Sequence, residues 1–262
     1  MRAGVPVIWG GEGAGDHAAV AVLRQRASAL GAPFWQQGCE FGSLDAEHFF
    51  VHLPLPGARR YVLPWPQRLA LAPSYLRDNF LKAAAALAWL TGHGPLAASH
   101  QGHFEAAVAA LDLPGLVTPP SLRARFERVV VKSGAMEHEL LLDVCHNPDG
   151  AKALVRGLSE TAVVAAAGGK VAAFVSILAD KDCDEILDIL RRVCAPVVLF
   201  AVLSERTWGA ERVAERHRDL AFYPSFDAAW TAAAPVPATA PVLVCGSVHA
   251  VGEVCAYFGI DL

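Results

Sequence analysis

The sequence predicts an α/β protein built on a mostly parallel sheet, and three observations carry that prediction. Beyond residue 121, apolar strand-like runs at 128–132, 139–144, 171–178, 196–203 and 240–245 alternate with helix-like segments at 148–158, 183–193, 210–217, 225–233 and 248–258. Such alternation reads as βαβ units around a parallel sheet. Apolar residues make up 54% and charged residues 18% of the chain, a balance that supports a packed core. Its 262 residues, at roughly 150 per domain, suit one large domain or two small ones.

The first half opens with an apolar run at 5–9 and a glycine-rich turn, followed by apolar Val20, Leu23, Ala27 and Leu30 at helical spacing. This predicts strand, turn and helix. Phe34-Trp35, His48–Leu55 and Arg60–Leu63 read as further strands, and residues 75–90 and 103–111 as helices. The stretch Leu113-Pro-Gly-Leu-Val-Thr-Pro-Pro120 breaks the helical pattern, so a boundary is expected there. It divides the chain into residues 1–112, a linker at 113–120, and residues 121–262.

Charge and composition narrow the partners. Lys plus Arg total 22 against 26 Asp plus Glu, a net charge of −4, and no long basic run occurs. Nucleic acid and anionic membranes are not expected to bind. Although the mean hydropathy is +0.34, no stretch supplies about 20 consecutive apolar residues for a membrane span. The start, Met1-Arg-Ala-Gly-Val-Pro6, lacks the pattern of a secretory signal, which makes the cytoplasm or the mitochondrial matrix the expected compartment. Six cysteines contain no C-x-x-C pair and mostly sit in apolar runs, reading as small buried hydrophobes. His100 and His103 lack neighbouring Cys or acidic partners, so no metal cage of protein side chains is expected.

Ligands of open parallel sheets bind outside the carboxyl ends of the strands. Three strand ends there carry polar residues. In Leu141-Leu-Asp-Val-Cys-His-Asn-Pro-Asp149 a strand ends on Asp143, Asn147 can cap the next helix, and Pro148 suits its first position. Asp143 and His146 then stand at a helix N-terminus, where backbone N–H groups attract phosphate or carboxylate. Leu178-Ala-Asp-Lys-Asp182 sets Lys181 between two carboxylates, and Val244-Cys-Gly-Ser247 ends the last strand. Each loop alone is an ordinary cap or turn; together their carboxylate, histidine, lysine and hydroxyl suit an anionic ligand. Gly13-Ala-Gly-Asp-His-Ala18 also matches a G-x-G-x-x-A dinucleotide turn, a short match that equally describes a plain tight turn.

Asp143-Val-Cys-His-Asn-Pro148 resembles the D-x-A-H-N-P signature of folylpolyglutamate and dihydrofolate synthases, a branch of the Mur ligase family. Leu178-Ala-Asp-Lys-Asp182 is similar to that family's L-A-D-K-D segment. Gly246-Ser247 through Gly252-Glu-Val254 resembles its G-S-L-Y-x-V-G-E-V ending, and Arg125-Phe-Glu127 the end of W-P-G-R-F-E. The resemblance implies a Rossmann-like C-terminal Mur ligase domain over 121–262, preceded over 1–112 by part of the central ATPase domain. Family members phosphorylate a folate or pteroate carboxylate with ATP and magnesium and let the amine of glutamate attack the acyl phosphate.

By the same resemblance, Asn79, Arg125 and Asp143 would bind ATP, His146, Lys181 and Ser247 would line the glutamate side, and His146 and Lys181 would be catalytic. Several positions depart from the family. Leu122-Arg-Ala124 stands where W-P-G would, Leu76 replaces the Gln of H-Q-x-x-N, and no P-loop is present. Gly169-Lys170 is followed by Val171 and precedes a strand, the wrong context for a phosphate cradle. The start of the chain resembles the segment just after the family's carbamylated-lysine motif. The expectation is therefore a C-terminal portion that is inactive alone and needs a complementary N-terminal chain or segment. An inactive nucleotide- or partner-binding module is the alternative.

Overall fold

The computed structural model describes residues 1–10, 18–53, 59–70, 72–100, 103–112, 123–233 and 241–261. The turn residues Gly13–His17 and the boundary stretch 113–120 lie outside the described residues. The chain separates into two compact units, Met1–Leu116 and Val117–Leu262.

In the first unit, β1 (Val7–Trp9), α1 (Ala18–Ala29) and β2 (Phe34–Gln36) form a strand–helix–strand crossover. Its two strands pair in parallel, Val7 opposite Phe34 and Trp9 opposite Gln36. β3 (Phe41–Ser43), β4 (His48–Leu53) and β5 (Arg59–Pro64) make an antiparallel sheet, in which Phe49, Val51 and Leu53 of β4 alternate inward. The helices are α2 (Gln67–Ala70), α3 (Ser74–Gly92), α4 (Ala97–His100) and α5 (His103–Ala109). Leu81, Ala84, Ala85 and Ala88 recur along one face of α3, and their small side chains let it lie close to Phe49, Tyr61 and Phe104 in one apolar cluster.

In the second unit the elements run β6 (Glu127–Ser133), β7 (Met136–Asp143), α6 (Pro148–Glu160), α7 (Val163–Ala166) and β8 (Val171–Val175). There follow α8 (Cys183–Leu190), β9 (Cys194–Phe200), α9 (Ala210–Arg216), β10 (Ala221–Tyr223), α10 (Phe226–Ala233), β11 (Val242–Cys245) and α11 (Val248–Phe258). The six-stranded sheet has the order β10-β9-β8-β11-β7-β6. Every pairing is parallel except the β6–β7 hairpin at one edge. β10 and β3 are strands of three residues that no sequence period revealed, and the run expected at 171–178 leaves the sheet after Val175.

Alternation along the strands splits the core in two. Leu141, Ala173, Val175, Leu199, Leu243 and Cys245 pack under α6, α8 and α9 with Leu154, Leu187 and Val213. Leu140, Leu142, Phe174, Phe200 and Val244 face α10 and α11 with Trp230, Val251 and Val254. Helices thus cover both faces, as a sheet of continuously apolar parallel strands requires.

Candidate functional site at the carboxyl ends of β7, β11 and β8

Register places the site. Cys245 of β11 pairs with Asp143 on one side and Val175 on the other, so the three central strands end level with one another. The chain passes from β7 over to β8, moves outward through β9 and β10, and returns to insert β11 between β8 and β7. Asp143, Ser247 and, a few residues beyond Val175, Lys181 therefore share one rim of the sheet, the side where open α/β sheets bind ligands.

Asp143 is the most deeply held of these groups. It is 4% exposed, and its carboxylate accepts from Cys145 N at 2.9 Å and from Phe126 N at 3.0 Å. The second bond ties the start of β6 to the end of β7. Glu127 finishes the work on the other side, accepting from Arg123 Nε and Nη2 at 2.9 and 2.7 Å and from Ala124 N at 2.7 Å. Ala124 and Phe126 adopt φ of 61° and 54°, a left-handed backbone that costs a non-glycine residue about 1 kcal/mol or more. The two carboxylates hold that strained loop, and Arg125 between the two residues is exposed on the rim.

The next loop is set by its cap. Asn147 accepts from Gly150 N at 2.7 Å and Pro148 opens α6, as the residue types predict. His146 is exposed just before it, and its Nδ1 lies 3.1 Å from Val144 O, a carbonyl that can only accept, so Nδ1 is the donor and Nε2 is the nitrogen left for other partners.

Ser247 is 3% exposed, and its hydroxyl caps α11 by accepting from Ala250 N at 3.0 Å. Before it, Gly246 has φ of 111°, and a Cβ there would stand 2.5 Å from Ser176 O. Only glycine lets the two strand ends cross so closely.

Lys181 sits in the turn before α8, which Asp182 caps by accepting from Glu185 N at 3.3 Å. The Lys181 ammonium lies 3.3 Å from Asp180 Oδ2, and Arg206 reaches the same oxygen at 3.4 Å. Desolvation raises the affinity of Asp180 for a proton, but the Lys181 hydrogen bond and the charges of Lys181 and Arg206 outweigh it and hold its carboxyl below the ordinary range. Below the turn, burial pushes the Cys183 thiol up to about 12, so it is an inert hydrogen-bonding core group.

Asn79 stands elsewhere, exposed on α3 of the first unit. The second unit thus brings Arg125, Asp143, His146, Lys181 and Ser247 to one rim, and Asn79 belongs to a different unit. Arg206 joins the rim although neither its residue type nor its spacing marked it. The signal available was a basic residue in the polar interruption Ser204-Glu-Arg206 after a buried strand.

This arrangement, a three-layer α/β unit with three helix-capping loops at the ends of its central strands, is that of a ligase domain of the Mur type. Residues 124–248, just under half of the chain, match the family model of the Mur ligase glutamate ligase domain. Among solved structures, the chain is similar to a bifunctional folylpolyglutamate synthase/dihydrofolate synthase of Yersinia pestis complexed with AMPPNP and Mn ion. The identity is 26% over 98% of this chain and 54% of that one, with a TM-score of 0.67. A bifunctional folylpolyglutamate synthase/dihydrofolate synthase with Mn, AMPPNP and L-glutamate bound is 26% identical, with the same coverage and a TM-score of 0.65. A Mycobacterium tuberculosis folylpolyglutamate synthase complexed with ADP and AMPPCP shares the fold at 24% identity, over 92% of this chain and 52% of that one, with a TM-score of 0.63. The chain spans about half the length of these structures. No curated protein sequence matches it.

Proposed function

We propose that this chain supplies the glutamate-ligase portion of an ATP-dependent carboxylate–amine ligase of the folylpolyglutamate or dihydrofolate synthase type. The observation that carries the reading is the meeting of Arg125, Asp143, His146, Lys181 and Ser247 on one rim of a domain whose family joins glutamate to carboxylates. ATP binding is supported by solved relatives that hold AMPPNP or ADP, and glutamate binding by the relative with L-glutamate bound.

The side chains suit distinct tasks. Arg125 offers a planar fork for phosphate oxygens, while Asp143 keeps its loop rigid and presents carboxylate lone pairs suited to ribose hydroxyls. Lys181 and the Ser247 hydroxyl can hold the α-carboxylate of glutamate, and the His146 imidazole, held through Nδ1, can take on Nε2 the proton that the attacking amine must lose. A carboxylate becomes an acyl donor only with a leaving group attached, which phosphorylation by ATP supplies; Asn79 would meet the adenine. Among the described residues no three His, Cys, Asp or Glu side chains come together to hold a metal ion, so no magnesium ligand is assigned in this chain. The sequence carries no P-loop either. The two-stranded parallel sheet of β1 and β2, marginal by itself, supports a role for a complementary N-terminal segment that brings strands, phosphate cradle and metal ligands together.

The test is reconstitution. The purified chain is combined with an N-terminal segment from a relative that carries the P-loop, and ADP release is followed with dihydropteroate or tetrahydrofolate and glutamate. Glutamate-dependent release is expected from the combination and not from the chain alone, with a loss of tenfold or more on Lys181→Ala. ADP binding with no turnover in any combination would favour an inactive nucleotide-binding module.

A further inference from the structure

The turn bearing Lys181 is held by a segment about 25 to 35 residues further along the chain. Leu178 forms an antiparallel bridge with Thr207, Ala179 N donates to Arg206 O at 2.7 Å, and Arg212 donates to Ala179 O at 3.4 Å. The segment is itself anchored. Thr207 Oγ1 accepts from Val202 N at 3.0 Å, and Glu253 of α11 accepts from Leu203 N. Trp208 is buried, stacks on His217 at 5.5 Å and carries the Arg212 guanidinium 5.1 Å from its ring centre. Arg206 is thereby delivered to Asp180 from a braced backbone.

The consequence is electrostatic. Asp180 Oδ2 serves two cations, Lys181 at 3.3 Å and Arg206 at 3.4 Å. A lone Asp180–Lys181 pair would be close to neutral and would offer little to an incoming anion. With Arg206 on the same oxygen, the trio Asp180, Lys181 and Arg206 carries one excess positive charge, while the Asp182 carboxylate is engaged in capping α8. The Lys181 side chain is about one-third exposed and stands in the turn that follows the end of β8, and Arg206 is more than half exposed beside it.

We infer that Arg206 is a positioning residue, neutralising Asp180 so that Lys181 can give its charge to a ligand carboxylate. The ligand in question, glutamate, rests on the function proposed above, whereas the coupling of Arg206 to Lys181 through Asp180 does not. Arg206 acts through Asp180, so Arg206→Gln should lose most of its effect once Asp180 is uncharged, whereas a direct ligand contact would weaken binding equally in both backgrounds.

Two readouts on the full chain test this, using wild type, Arg206→Gln, Arg206→Lys, Asp180→Asn and the Arg206→Gln/Asp180→Asn double variant. The first is the rate at which trace acetic anhydride labels Lys181 relative to Lys132, read by peptide mass spectrometry. Only the unprotonated amine reacts, so the labelling rate reads the electrostatic surroundings of the side chain. Arg206→Gln should slow Lys181 labelling about threefold or more, the double variant should restore it, and Arg206→Lys should leave it near wild type. The second is calorimetric titration with L-glutamate, in which Arg206→Gln should weaken binding about three- to tenfold and the double variant should recover most of it.

Unchanged Lys181 labelling in Arg206→Gln overturns the inference, as does a double variant no better than the single one in labelling. Wild type that fails to bind glutamate while the labelling pattern holds sinks the proposed function and leaves the coupling standing. Glutamate binding that Arg206→Gln weakens and Asp180→Asn does not rescue would make Arg206 a direct ligand contact and refute its positioning role.

Discussion

Gly246→Ala should destabilise the second unit by about 2–6 kcal/mol, and the magnitude follows from two separate conflicts. At φ of 111° an L-residue meets its own carbonyl neighbours, a strain of about 1–3 kcal/mol. The added methyl would also stand 2.5 Å from Ser176 O, 2.8 Å from Ser176 C and 3.1 Å from Ile177 Cγ1. Two of those atoms are backbone and cannot swing aside, and overpacking of this kind costs about 1–3 kcal/mol more. Because Ser176 N donates to Cys245 O at 3.1 Å, relief of the clash must part the ends of β8 and β11, which carry the rim. Gly252→Ala is the matched control: the same residue change, inside α11, with nothing within 4 Å of the new methyl. It should stabilise by about 0.5–1 kcal/mol through helix propensity. Native-state hydrogen exchange on the amides of β8 and β11 reads both effects, since a factor of ten in exchange rate corresponds to about 1.4 kcal/mol. Equal protection in the two variants would refute the claim that the strand ends cross too closely for a side chain.

Other expectations rest on single groups. Asp143→Asn replaces a two-oxygen acceptor by an amide with one, and should cost about 1.5–3 kcal/mol in urea unfolding by losing a charged hydrogen bond to Phe126 N or Cys145 N. The Asp184 carboxyl is held below its ordinary value near 3.8, first by the His217 hydrogen bond and then, against desolvation, by Arg216. A lowered folded value means stability that is present above the ordinary value and lost as pH falls through the lowered one. Because Asp184 is 42% exposed, solvent screening limits the effect to a fraction of a kcal/mol, so the melting-temperature gap between wild type and Asp184→Asn should be small at pH 6 and vanish in strong acid. A gap that widens on acidification would contradict the assignment. Of six cysteines only Cys39 is exposed, and burial pushes the thiol of Cys194 up to about 12. Native protein should therefore release one fast thiol equivalent to an aromatic disulfide reagent, and two or more would show the core to be open.

The sheet was legible because its strands are buried on both faces, and such strands announce themselves as apolar runs between helices. What escaped was short or ended by tertiary contact. β10 has three residues, fewer than a period-two pattern needs, and exists because it can pair with the edge of β9. The run at 171–178 ends as strand at Val175 since Leu178 finds its partner in Thr207 instead of the sheet, a contact between segments about 30 residues apart. Arg206 was invisible for the same reason. Its meaning comes from Asp180, and that pairing is written in the fold, not in local sequence.

At the rim the motif residues divide by what they already hold. Asp143 braces a strained loop, Asn147, Asp182 and Ser247 cap helices, and the spacing that made each of them recognisable is the spacing that capping and bracing demand. Ala124 makes the point from the opposite direction. It stands where the resembled W-P-G motif has glycine, and it keeps the left-handed backbone, φ 61°, that glycine would adopt without strain. The loop survives the substitution because Glu127 receives Ala124 N and Val144 N donates to Ala124 O at 3.0 Å. The groups best placed for chemistry are then those that the scaffold leaves at least partly exposed on the same rim, Arg125 and His146 and the half-buried Lys181. Substituting these three should change ligand binding with little change in stability, whereas Asp143 and Ser247 should show both effects at once.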